Sequence, residues 1–175
     1  MGMLMKKALR LTGLHITGIA ITFFFMIALG WVIRKWGFVA FSVVTAVFYC
    51  SLFYSEGWNW GRSEGKSFSQ VKPSLLRVVK SSSVLVGVCL IFACIAAVRL
   101  LNNPLFDFII RIWYMPFLGF YKKTEDISVA EIILSGMAAP LTVMIAYLMG
   151  WKNFSVLDRL AALKKQMNEQ KSSKE

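Results

Sequence analysis

Apolar residues run along the chain in long blocks separated by short polar intervals. They show neither the alternation of a half-buried strand nor the one-sided stripe of a soluble helix. Four blocks are long enough to be membrane spans, at about 11–33, 38–54, 84–101 and 129–150. A helix rises about 1.5 Å per residue and the hydrocarbon core is about 30 Å thick, so roughly 17–25 apolar residues cross it. The pattern predicts an all-α fold: an integral membrane four-helix bundle filling residues 1–155.

The intervals carry the detail. Arg34-Lys35-Trp36-Gly37 is short enough to predict a tight turn, making the first two helices an antiparallel hairpin. The stretch from Ser55 to Ser83 is the longest clearly polar interval. Within it Gly57, Gly61 and Gly65 recur every four residues, with Trp58 beside them. On a helix continued past Tyr54 they form a smooth stripe for close contact with another helix. In a loop they are ordinary turn glycines, and both readings stay open. Pro73 suits the first turn of the third helix, whose start carries Lys72, Arg77 and Lys80 among apolar neighbours.

Residues 102–126 are more than a loop. Asn103 suits a cap, and Pro104 the first helical position. Phe106, Ile109, Ile110 and Trp113 follow at i, i+3, i+4 and i+7, and Asp107 stands four before Arg111. The spacing predicts an interfacial helix over about 104–114 on the extracytoplasmic side, anchored by Phe106, Ile110 and Trp113. It is too short to span. A re-entrant hairpin lining a cavity is the alternative. Ser128-Val129-Ala130-Glu131 reads as a capping box opening the fourth span. Gly136 and Pro140 lie inside that span. Proline removes a donor and crowds the Gly136 carbonyl, so a kink is expected, and both residues are candidates for a helix contact or a cavity. Val156, Leu160, Leu163 and Met167 predict a cytoplasmic C-terminal amphipathic helix within 156–175, followed by a polar tail.

Composition agrees with a membrane solvent: 57% of the 175 residues are apolar and 14% aromatic. The net charge of +11 would suggest nucleic acid in a soluble chain. Here no soluble module is left to bind it, and no nucleic-acid partner is expected. Four spans put both termini and the Ser55–Ser83 interval on one side, which then holds fourteen of the twenty cations. The positive-inside rule makes that side cytoplasmic. The expected location is the cell membrane, multi-pass, with N- and C-termini in the cytoplasm. Cys50, Cys89 and Cys94 all fall in apolar runs without a CxxC, which argues for packing rather than a disulfide framework.

Candidate chemistry is sparse. Gly61 to Ser67 approaches a phosphate loop, but its glycines are one residue too close and a helix, not a strand, precedes it. His15, the single histidine, has no acid within a helical turn and reads as an interfacial residue. No ionisable side chain falls near mid-span, where carriers and membrane proteases keep theirs. The mid-depth polar groups are Thr22, Ser42, Thr45, Cys89, Cys94, Ser135 and Thr142, which commonly bond to their own helix or a neighbour. Glu56, beside Trp58 and Trp60, is placed to meet the cations Lys72, Arg77 and Lys80 at the start of the third helix. No catalytic residue, metal or cofactor is expected.

Two pieces, Tyr54-x-x-Gly57-Trp58-x-x-Gly61 and Tyr147-x-x-Gly150-x-x-Asn153-Phe154-Ser155, resemble a pattern in small four-helix membrane proteins of Gram-positive bacteria. The resemblance implies a bacterial inner membrane. It implies no activity and transfers no functional residue. The expected function is therefore a non-catalytic accessory or scaffold protein, packing against itself as a homo-oligomer or against a partner membrane protein within the lipid bilayer. The alternative is a transporter or channel subunit for a small or lipid-like molecule, with its pore at the Pro140 kink. A cavity reaching Pro140 favours the alternative, and packed side chains there favour the scaffold.

Overall fold

The computed structural model describes residues 2–66, 69, 72–97, 104–121 and 128–152, apart from the side chains of Val32, Pro104 and Asp107. The expected C-terminal helix and the Asp107–Arg111 pair lie outside the described residues. Every regular element among the described residues is helical: α1 (Met3–Ala28), α2 (Gly30–Glu64), α3 (Leu75–Ala97), α4 (Pro104–Trp113), a 3₁₀ segment (Met115–Phe120) and α5 (Val129–Trp151). Four of them, α1, α2, α3 and α5, are long and apolar enough to cross a membrane. The chain thus has the make-up of a multi-pass membrane protein.

The boundaries shift from those expected. α1 begins at Met3 and stops at Ala28, with Leu29 as a hinge that donates its N–H to the Phe25 carbonyl at 2.7 Å. Arg34 and Lys35 belong to helix rather than to a turn, and the break falls at Gly37 (φ 83°, ψ 169°). Only glycine reaches that conformation without steric cost. α2 then continues through the polar interval as far as Glu64, so Gly57 and Gly61 are helical. α5 opens on the capping box: the Glu131 N–H donates to Ser128 Oγ at 3.2 Å, and the Ser128 N–H donates to Glu131 Oε2 at 3.0 Å. α5 continues through Pro140 to Trp151.

Contacts fix the directions. Lys7 meets Glu64, Arg10 meets Glu56 and His15 meets Tyr49, so α1 and α2 are antiparallel. Gly57 faces Val143, Gly61 faces Tyr147 and Gly65 faces Trp151, so α2 and α5 run parallel and in step. α3 is antiparallel to α5: Ser74, just before α3, meets Tyr147, and Cys89 meets Ile132. The start of α1, the end of α2, the start of α3 and the end of α5 therefore share one end of the bundle. The core between them is Leu11, Tyr49, Phe53, Val78, Val143 and Tyr147, with a second cluster around Cys89, Ile110, Tyr114 and Ile132.

Candidate functional site

The shared end is held by two devices. The first is the glycine seam. A Cβ on Gly61 would overlap the Tyr147 carbonyl, and one on Gly57 or Gly150 would overlap the carbonyl of Val143 or Trp58. Gly65 is tight as well, its Cβ position lying 2.9 Å from the Trp151 carbonyl oxygen. Small residues let helix backbones approach where no hydrophobic drive separates helix from lipid. The stripe of Gly57, Gly61 and Gly65 is thus occupied by α5 of the same chain, with Trp58 half-buried at its edge.

The second device is a buried ion cluster. The Glu64 carboxylate is only 4% exposed and gathers three partners from three helices. Lys7 Nζ donates to Oε1 at 2.7 Å, the Tyr147 hydroxyl donates to Oε2 at 2.7 Å, and Arg77 Nη1 pairs with Oε2 at 3.0 Å. Lys7 also lies 4.5 Å from the centroid of the Trp60 ring. Tyr147 accepts the Ser74 N–H at 2.8 Å, so one hydroxyl joins α5 to the segment leading into α3. Glu56 pairs with Arg10 at 2.9 Å. Removing one partner from such a cluster strands a buried charge, so the groups act as a unit.

The far half is built differently. α4 and the 3₁₀ segment enter the bundle from the other end. Ile110, Tyr114, Met115, Pro116 and Phe117 are buried, whereas Phe106 and Ile109 on the same expected stripe are exposed. Trp113 packs on His15 with ring centroids 4.3 Å apart, and Phe117 meets the Tyr49 ring edge-on at 5.3 Å. Tyr114 approaches Cys89 and Gly136, where a Cβ on Gly136 would overlap Cys89 Sγ. Cys89 stands eight residues before the end of α3, about 12 Å along its axis, so the segment reaches well into the bundle. Its free backbone groups are met by α2: Thr45 donates to the Pro116 carbonyl at 2.9 Å, and the Gly119 N–H donates to Ser42 Oγ at 2.7 Å.

No protein family model, no curated protein and no solved structure matches this chain. What the site can do must come from its own geometry. His15 is buried, its Nδ1 2.6 Å from the Tyr49 hydroxyl, and its aromatic neighbours belong to helices remote in sequence. Among the described residues no three His, Cys, Asp or Glu side chains converge to hold a metal. Pro140 is buried, as are its neighbours Ala139 and Val143. A side cleft of about 290 Å³ between the 3₁₀ segment and α5 is lined by Phe117, Phe120, Tyr121, Leu134 and Ser135. It reaches Ala138, and Pro140 is not in its wall. Sequence reasoning singles out Glu56 and the glycine stripe from local pattern. Glu56, however, pairs with Arg10 of α1 rather than with the cations at the start of α3, and local pattern alone leaves the stripe open between a helix contact and a loop. It missed the joint role of Lys7, Glu64, Arg77 and Tyr147, for which the signal was Glu64, one of only two acids in a basic interval.

Proposed function

We propose that the protein is a non-catalytic accessory or scaffold protein of the cell membrane, acting by helix packing with a second copy or a partner membrane protein. The observation that carries this reading is the closed interior at Pro140, where Ala139 is 2% and Val143 0% exposed. Side chains packed there leave helix faces, rather than a bore at Pro140, with which to act. The seam glycines are already used within the chain. One apolar face left over lies on α3, where among the described residues a Cβ on Gly87 would meet nothing within 4 Å and Val84, Leu90 and Ile91 are exposed. An open glycine on an apolar face permits close approach of another helix. In this reading both termini and the ion cluster face the cytoplasm, in keeping with the cation count. The α4–3₁₀ segment is a re-entrant plug on the opposite side, its irregular backbone tolerated because protein groups satisfy it.

The test is native mass spectrometry in mild detergent, together with crosslinking in native membranes. Species heavier than the monomer are expected. Gly87→Leu is expected to abolish them without unfolding the monomer. Monomers alone at every concentration, with no crosslinked partner in membranes, would overturn the reading.

A further inference from the structure

A second cleft of about 290 Å³ opens where the glycine seam ends, between the last turns of α2 and α5. Arg62, Gly65, Lys66, Gly150 and Trp151 line it. Arg62 and Lys66 are four residues apart, which puts them on one side of α2 and its continuation, and both are exposed. Trp151 closes the recess from α5 and is 42% exposed. Glu64 lies between the two cations in sequence but turns into the bundle, where Lys7, Arg77 and Tyr147 hold it. Among the described residues the cleft wall therefore carries cationic side chains and no acidic one.

We propose that this recess binds a phosphate group, foremost the phosphodiester of a net-anionic membrane lipid. The lipid source rests on the membrane reading above; the phosphate chemistry does not. A guanidinium matches two phosphate oxygens at once, and an ammonium adds a point charge. Indole rings favour the headgroup level, where Trp151 would flank the glycerol region. Basic pockets between membrane helices on the cytoplasmic side hold lipid phosphates by this combination. One term opposes it, because two helix C-termini meet here. Each carries roughly half a negative charge. Arg62, Lys66 and exposed Lys152 set cationic side chains against that among the described residues.

The full chain in non-ionic detergent would be titrated with phosphatidylglycerol, with phosphatidylcholine and, separately, with inorganic phosphate, and bound copies counted by native mass spectrometry. One phosphatidylglycerol should be retained about tenfold better than phosphatidylcholine, and Arg62→Gln with Lys66→Gln should erase that preference. The charge-keeping pair Arg62→Lys with Lys66→Arg should retain most of it, which separates lost charge from lost fold. Arg34→Gln with Lys35→Gln, outside the cleft, should change nothing. Saturable binding of inorganic phosphate that needs Arg62 and Lys66, without a lipid preference, would support the phosphate site and assign it a soluble source. Equal retention of both lipids with no phosphate binding, or retention indifferent to the Gln pair, would overturn the proposal. A chain that stays monodisperse in buffer without detergent would instead sink the membrane reading, and the phosphate arm would still report on the cleft.

Discussion

The two ends of the bundle reach the same result, tight contact between helices, by opposite means. At the end shared by the chain's start and α5's finish, backbones touch through Gly57, Gly61 and Gly150, and charges from α1 and α3 converge on Glu64 of α2. In the other half, large rings fill the space: Trp113, Tyr114 and Phe117 descend among His15, Tyr49 and Cys89. The difference lies in what each solution tolerates. A charge cluster fails when one member is lost, because the rest stay buried and unpaired. A ring cluster loses packing in smaller steps.

Substitutions can break or sharpen that contrast. The largest effect is expected from Glu64→Ala, which leaves Lys7 and Arg77 facing each other without an acid; a loss of about 3–5 kcal/mol is expected in reversible unfolding from detergent. Replacing Glu64 together with Lys7 and Arg77 by apolar residues of similar volume should recover much of that loss. Next come the close approaches. Gly61→Ala pushes a methyl into the Tyr147 carbonyl and Gly119→Ala pushes one into the Phe38 carbonyl, each costing about 1–3 kcal/mol. If the two ends differ as described, Gly61→Ala costs more, because both of its neighbours are regular helices that cannot shift locally. Ser128→Ala removes the α5 cap and should cost about 1 kcal/mol. Smallest is Tyr114→Phe. The Tyr114 hydroxyl is buried against the Cys89 thiol, a weak hydrogen-bonding group, so its removal should be nearly neutral, read as an almost unchanged unfolding midpoint.

Local chemistry was legible in the chain and long-range partnership was not. The Ser128–Glu131 box needs only four consecutive residues, and its hydrogen bonds appear in the structure. The four-residue glycine period is equally local, but its use depends on α5, more than eighty residues away. The interval around Gly61 looked polar enough for a loop because Arg62, Ser63, Glu64 and Lys66 crowd it. The helix continues there because Glu64 finds its counter-charges on α1 and α3, which no window of sequence displays. The expected turn at Arg34–Gly37 was misplaced for the converse reason. Two adjacent cations read as a water-exposed turn, whereas the backbone breaks at Leu29 and at Gly37, on either side of them. Of the expected α4 stripe, Ile110 and Trp113 pack against protein while Phe106 and Ile109 stay exposed, because which residues face inward was set by the neighbours α4 meets, His15 and α3.

The account depends most on the α2–α5 seam being internal to one chain. With Cys50, Cys89 and Cys94 replaced by alanine, Arg62→Cys and Trp151→Cys would place thiols on the two walls of one cleft. A short bifunctional thiol reagent applied to native membranes should link them within a single polypeptide, giving a faster-migrating monomer. Links found only between two polypeptides, or none at all, would contradict it.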